Sequence, residues 1–271
     1  MDLALRELAE SVIESSGAEQ PFSLHLIAST DAAAELGRSV EREVFGEVFG
    51  NSPELLAAEY AQYEPASVFL VVLDNRRLLP AGVMRLIVSG AQGLKSLDDI
   101  ERVWGQPIDA VVARTGCALD RDNCWDIATL AVSKEYRRAA AEGLVSTALY
   151  QASVMTAQVQ HVPWYVAVLD VRVLRLISST MGKPFTTFDG LEPAPYLDSS
   201  SSLPVFVDLD DYGRRLLEHK PEIYELLFQG AGLEAAVWTP EWVDAAQTAV
   251  GALDLPVQAG SATSTREAAR S

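Results

Sequence analysis

The sequence predicts an α/β fold, more narrowly an α+β domain in which helices flank a mixed sheet. Three observations predict it. Apolar runs of strand length recur at 22–28, 67–73, 81–88, 125–132 and 164–169. Segments with apolar residues at helical spacing lie between them, notably after Thr30, Gly143 and Asp170. The chain has 271 residues, 49% of them hydrophobic, enough for one sizeable core or for one domain with an appendage.

Taken in order, residues 1–20 read as a short acidic helix ending near Gly17. Residues 22–28 alternate as a strand, with His25 a half-buried member. Thr30 is the expected N-cap of a helix whose inner face carries Ala33, Leu36, Val40, Val44 and Val48 and which stops at Gly50. Arg42, Phe45 and Phe49 share a neighbouring stripe; the phenylalanines read as core, and Arg42 as either a solvated charge or a reach toward a substrate carboxylate. Residues 51–66 read as a polar connection containing Tyr60, Tyr63 and Glu64. The runs 67–73 and 81–88 flank the turn Asp74-Asn75-Arg76-Arg77, which suggests an antiparallel hairpin with Pro80 at the start of its second strand. Arg85 is a charge within that strand and needs a partner or a route to a cleft.

Residues 89–123 are the least regular, with one helix ending at Gly105 and then a wandering link of a size to cover a pocket. The stretch 125–132 is a buried strand. A basic turn of small residues, 134–143, leads into a helix with Val145, Ala148, Leu149, Ala152 and Met155 inward. After the strand 164–169, Asp170 caps a helix through Met181, with Val173, Leu174 and Ile177 inward and Gly182 as its stop. Residues 185–188 and 203–208 are the last expected strands, joined by a polar link. From Asp210 the chain turns helical and acidic, with helices begun by Pro221 and by Thr239-Pro240-Glu241 and stopped by Gly230 and Gly251. The expected organisation is a lead at 1–20, a main domain at 21–209, a C-terminal helical extension at 210–254 and a polar tail at 255–271 that reads as disordered.

A formal net charge of −17 argues against nucleic acid and anionic membrane as partners. A local pair such as Arg137 and Arg138 still acts over a Debye length, on the order of 10 Å, and so permits an anionic ligand. The N-terminus lacks the pattern of a secretory signal, and no apolar run approaches the roughly 20 residues of a membrane span. The expected location is cytoplasmic. Cys117 and Cys124 read as unpaired thiols. With His25, His161 and His219 scattered, no metal site is expected.

A strand feeding a small-residue turn and a helix start presents free backbone N–H groups and a positive dipole end, an arrangement that binds phosphate. Within the turn, Arg138, Ala141 and Gly143 fit Arg-x-x-(Gly/Ala)-x-Gly. This resembles the acyl-CoA pyrophosphate loop of the GNAT (GCN5-related N-acetyltransferase) superfamily, although an ordinary strand–turn–helix with solvated arginines is the alternative. The element order over 22–208 is also similar to a GNAT domain. Arg42-Glu43-Val44-Phe45 and the segment 60–87, ending in Arg85-Leu86, resemble acyl-homoserine lactone synthases and long-chain N-acyl amino acid synthases. The chain departs from the lactone synthases on the central strand. Their Glu-x-Ser-Arg-Phe run is here Asp126, Ala128, Thr129 and Leu130, without the arginine. It departs from many acetyltransferases too. In place of their tyrosine after the sixth strand it offers only Ser178, Ser179 and Thr180.

The resemblance implies a mostly antiparallel central sheet and a transferase that moves an acyl group to an amine, with that of an amino acid among the candidates, with acyl-CoA or acetyl-CoA as co-substrate and no metal. An acyl-carrier protein is the alternative donor, but such a protein is itself acidic and the chain's charge favours CoA. Leu130, Ala131 and Val132 are then expected to pair with the pantetheine arm, and Arg137, Arg138, Ala139, Ala140, Ala141, Gly143 and Leu144 to hold the pyrophosphate. Asp126 is the first candidate base and Glu64 the second. For Asp126, an acid facing solvent or paired with Arg85 is the competing reading. Arg42, Phe45 and Arg85 are the candidate substrate contacts. The alternative function is an inactive acyl-CoA-binding module that acts through protein interaction.

Overall fold

The computed structural model describes residues 3–137 and 143–255. Its centre is a nine-stranded sheet in the order β6-β8-β5-β4-β3-β2-β1-β9, with β7 paired to β8. The strands are β1 (Phe22–Ala28), β2 (Ser67–Asp74), β3 (Leu79–Ile87), β4 (Cys124–Val132), β5 (Trp164–Asp170), β6 (Thr186–Thr187), β7 (Ala194–Tyr196), β8 (Ser199–Asp208) and β9 (Val237–Trp238). All pairings are antiparallel except β4 with β5 and β1 with β9.

The period of two along β2 divides the core. Val68, Leu70 and Val72 join the cluster under α6 (Leu144–Val159). Phe69, Val71 and Leu73 join the cluster under α1 (Leu3–Ser16) and α2 (Ala34–Phe49). Two glycines let these helices close on the sheet. A Cβ on Gly37 would lie 2.7 Å from the Phe69 ring, and one on Gly82 would lie 2.6 Å from Val145. A third cluster, with Ile87, Ile100, Val111, Val166 and Phe206, sits under α4 (Lys95–Trp104) and α5 (Ile108–Thr115). The C-terminal residues pack on the same core: α8 (Leu209–His219) and α9 (Pro221–Phe228) bury Tyr212, Leu216 and Leu227, and α10 (Trp242–Gly251) buries Ala246 and Ala249.

Several expectations are corrected. Thr30 does not cap α2, because its hydroxyl donates to the Ala252 carbonyl at 2.9 Å; Asp31 accepts from Ala33 N at 2.8 Å instead, and the helix starts at Ala34. Val48 faces solvent. The link 51–66 contains α3 (Pro53–Tyr60), begun by Pro53 and capped by Ser52, whose Oγ accepts from Leu55 N. The wandering link after Gly105 contains α5, stopped by Gly116 in the left-handed conformation. The polar link before residue 203 is paired as β7 and the first half of β8. Pro240 does not begin α10, which starts at Trp242.

Candidate functional site

The middle of the sheet is open. Strands β4 and β5 pair only at Cys124↔Trp164, Trp125↔Tyr165 and Asp126↔Val166. On the other side of β4 the register with β3 slips between Arg85↔Thr129 and Leu86↔Ile127, which leaves Ala128 as an extra residue. This bulge bends β4 away from β5. Tyr60 on α3 holds it by donating its hydroxyl to the Ala128 carbonyl at 3.2 Å. Beyond Asp126, the β5-facing edge of β4 therefore has no strand partner among the described residues.

The parting creates two cavities that share Ile127, Leu130 and Leu169. One, of about 90 Å³, lies on the α2 side and is lined by Phe45, Phe49, Tyr60, Tyr196, Ser199 and Ser202 among others. The other, of about 50 Å³, lies on the α6 side and is nearly all apolar, with Met84, Val154, Ile177, Met181 and Phe185 in its wall. Tyr150 also lines it, and burial pushes that hydroxyl up to about 12, so it stays protonated at neutral pH.

At the head of the opening, Gly143 adopts φ +82° and α6 starts at Leu144 with no side chain capping its first turn. A bare helix N-terminus of this kind offers N–H groups and dipole charge to an anion. Arg137 is tied to the end of β4, its Nε donating to the Val132 carbonyl at 2.6 Å. Lys134 pairs with Glu47, and that contact lowers the Glu47 carboxyl below its ordinary value. Arg138, Ala139, Ala140 and Ala141 lie outside the described residues. Leu130, Ala131 and Val132 pair with Met84, Val83 and Gly82 of β3 and lack a strand only on the β5 side, and Leu130 faces both cavities.

The charged candidates lie elsewhere. Arg85 is 3% exposed, with Nε and Nη2 donating to the two oxygens of Glu41 at 2.9 and 2.6 Å and Nη1 to Glu64. Its plane is sandwiched by the rings of Tyr60 and Phe69, at 4.4 and 4.6 Å. Each of the three guanidinium nitrogens thus donates to a carboxylate of the fold, and its charge is already met by Glu41 and Glu64. Both oxygens of Glu64 are likewise taken up, one by Arg38 at 2.6 and 2.8 Å and one by Arg85. Arg42 pairs with Glu35. Arg42, Glu64 and Arg85 line a hollow of about 280 Å³ next to the cleft, behind Tyr60. Phe45 faces the cleft itself and packs against Phe49.

Asp126 is fully buried, and its carboxylate accepts from Ser96 N at 2.5 Å and Ser96 Oγ at 2.8 Å. Ser96 stands in the first turn of α4, whose N-cap position, Leu94, has no capping side chain. Asp126 thus caps α4 from the central strand, neither facing solvent nor paired with Arg85. Burial pushes its carboxyl up to about 7. It lines neither cavity. Beside it Lys95 is buried between Glu59 and Asp99, at 2.8 and 2.7 Å, and Tyr196.

Sequence reasoning passed over Tyr196, Ser199 and Ser202, which sit in the segment read as a polar link, and saw Asp170 only as a cap. The signal was the run of four serines, 199–202, leading directly into an apolar strand; an irregularity in the pairing of β7 with β8 lets Ser199 and Ser202 meet although they stand three residues apart. Asp170 does cap α7 (Val171–Thr180), accepting from Arg172 N at 2.7 Å. The hydrogen bonds from the Arg172 side chain, with others from Ser199 and the backbone, hold its carboxyl down to about 2. Ser179 and Thr180 are exposed and their hydroxyls bond back to Leu176 O, so α7 turns only apolar residues toward the cavities.

No family model matches the sequence, and no curated protein matches it. The architecture does match solved structures. FeeM, an N-acyl amino acid synthase from uncultured soil microbes, aligns with TM-score 0.55 and 14% identity over 74% of this chain and 97% of its own. BjaI, a CoA-dependent acyl-homoserine lactone synthase solved with SAM and isopentyl-CoA, aligns with TM-score 0.51 and 17% identity over 84% of this chain and 98% of its own. The fold is therefore GNAT-like: a mixed, mostly antiparallel sheet between helices, parted at its middle. Among the described residues, no helix is long and apolar enough to cross a membrane.

Proposed function

We propose that the protein is an N-acyltransferase that moves a short acyl group from acyl-CoA to an amine. The parting of β4 from β5 beneath the bare N-terminus of α6 carries this reading. An extended pantetheine arm has its amide partners in the unpaired edge at 130–132. A pyrophosphate has Gly143, Leu144 and Arg137. The relatives in fold support the donor, since BjaI is CoA-dependent.

The apolar cavity on the α6 side suits the acyl group. At about 50 Å³ it is small beside ligand pockets of roughly 300–1,000 Å³, so short acyl groups fit it as it stands. The amine enters from the α2 side. Its lone pair forms the C–N bond at the thioester carbon, and the carbonyl oxygen takes up charge facing a β4 backbone N–H. The C–S bond then breaks. The proton lost by the nitrogen ends on the departing thiolate through water, giving an amide and free CoA. Neither Asp126 nor Glu64 is assigned the proton transfer, because one caps α4 and the other is held by two arginines.

Thermal stabilisation by CoA, acetyl-CoA, isovaleryl-CoA and palmitoyl-CoA tests the donor. A ligand at a hundredfold excess over Kd adds roughly 2.7 kcal/mol. The expected shift is largest for the short acyl donors, and thiol release should follow when amines are added. No shift with any thioester would remove the reading. Binding without turnover would favour an acyl-thioester-binding module, a reading that the absence of an inward hydroxyl on α7 supports.

A further inference from the structure

The lining of the α2-side cavity has one chemical sense. Five hydroxyl groups border it, and each has given its proton to an acceptor inside the protein. Tyr60 donates to the Ala128 carbonyl, Thr129 to Glu41 and Tyr196 to Asp99. Ser202 Oγ donates to Ser199 Oγ at 3.0 Å, and Ser199 Oγ donates to Asp170 Oδ2 at 2.8 Å. The direction of that last chain is forced. An ionised carboxylate only accepts, so the Ser199 proton points to Asp170 and Ser199 can only receive from Ser202. Asp170 is itself filled, since the backbone N–H, Nε and Nη2 of Arg172 supply its other bonds at 2.7, 3.1 and 2.9 Å. Ser199 Oγ also receives Ser201 N at 3.4 Å. The end of the relay, Ser202 Oγ, keeps free lone pairs and no proton to give.

No Lys, Arg, His, Asn or Gln side chain borders this cavity among the described residues. The arginines of the adjoining hollow are each paired with Glu35, Glu41 or Glu64. Among the side chains, a ligand here meets hydrogen-bond acceptors and the rings of Phe45, Phe49, Tyr60 and Tyr196, and no donor for a carboxylate; the donors left are backbone N–H groups of the parted β4 edge, which the thioester takes up in the reading above.

We propose that the acceptor is a primary amine on an aromatic or branched apolar body, without a carboxylate beside the nitrogen, and that its N–H docks on Ser202 Oγ at the end of the Ser202–Ser199–Asp170 relay. The assignment rests on the N-acyltransferase reading and names its acceptor class. An amine meets the lining's acceptors with its N–H groups. An α-amino acid must bury a carboxylate among lone pairs, and a site that leaves a charged group unpaired discriminates strongly. Asp170 also borders the cavity, but its carboxylate is filled by Arg172 and Ser199, and it fixes the hydroxyl directions through Ser199.

The test compares phenethylamine, tyramine and isoamylamine with phenylalanine, tyrosine and leucine, using acetyl-CoA and isovaleryl-CoA as donors and thiol release with product mass as readouts. The amines should have kcat/KM at least about tenfold above their amino acids. Equal or better use of the amino acids overturns the acceptor assignment while leaving acyl transfer intact. Binding of acyl-CoA with no turnover of either set overturns the function and this assignment with it. Ser202→Ala should raise the amine KM about tenfold while stabilisation by acyl-CoA is unchanged. Ser199→Ala frees the Ser202 proton and should narrow the preference of amine over amino acid. An unchanged KM in the first variant and an unchanged preference in the second would refute the relay.

Discussion

Arg85 is the only charge on β3, and the residues that neutralise it are far away in sequence: Glu41 on α2 and Glu64 just before β2. Replacing it by methionine would leave the buried Glu41 carboxylate without its cation, while Glu64 keeps Arg38. Loss of one partner of a buried pair costs roughly 3–5 kcal/mol, so urea unfolding of Arg85→Met should move by about that much. A role confined to holding substrate would leave the unfolding midpoint where it is. Asp126 makes the opposite case. Its folded carboxyl titrates near 7, above the ordinary 3.8 of the unfolded chain, so protonation favours the fold. Its contribution is complete below about pH 4 and is lost as pH rises through 7. Asp126→Asn keeps an acceptor for Ser96 N without the charge. The variant should therefore match the wild type at low pH, gain on it above pH 7 and retain turnover. Loss of turnover with the fold intact would restore Asp126 as the base.

At the scale of elements, legibility followed length and periodicity. Strands β1, β2, β4 and β5 were readable to within a residue or so because continuous β-branched runs bounded by turns leave little else to be. The helix α3 was missed because eight residues give the period of 3.6 barely two turns, although Ser52-Pro53 announced its start. Strand β9 has two residues and exists only because β1 offers it an edge. The geometry of the candidate site was legible where the backbone makes it, in the strand end at 130–132 and the helix start after Gly143. It was not readable where distant side chains decide, as with Arg85, Asp126 and the serines of β8. The hairpin of β7 and β8 shows the same limit. Its two turn residues, Leu197 and Asp198, both have positive φ, +43° and +62°, and neither is glycine. Asn51 holds the turn by donating to Leu197 O at 3.3 Å and Asp198 Oδ2 at 2.7 Å. Two-residue hairpin turns of this hand favour Asn-Gly, and a left-handed β-carbon costs roughly 1–2 kcal/mol. Leu197→Asn should raise the unfolding midpoint accordingly, and a lower midpoint would mean that the contact of Leu197 with the cleft outweighs the turn.

For the molecule as a whole, the question is what the C-terminal residues are for. Their acidic helices suggest a separate extension, free to meet a partner. Their contacts run inward: β9 extends the sheet beyond β1 by pairing Phe22 with Val237 and Ser23 with Trp238. The Trp238 ring stacks on buried His25 at 5.5 Å, and Gln151 of α6 donates to the carbonyls of Leu226 and Ala231. Trp242 and Val250 of α10 pack on the same cluster as Leu149 and Ala152 of α6. Because α6 starts just after Gly143, the segment that braces this helix also braces its bare N-terminus at the head of the cleft. Deleting 237–271 should therefore cost stability by more than about 2 kcal/mol, since burial of each large apolar side chain contributes about that much. It should also weaken the thermal shift given by CoA. Urea unfolding with CoA titration of the truncated chain separates the two ideas. Unchanged stability and unchanged CoA binding would make the segment an appendage. Joint loss of both would make it the outer wall of the cleft.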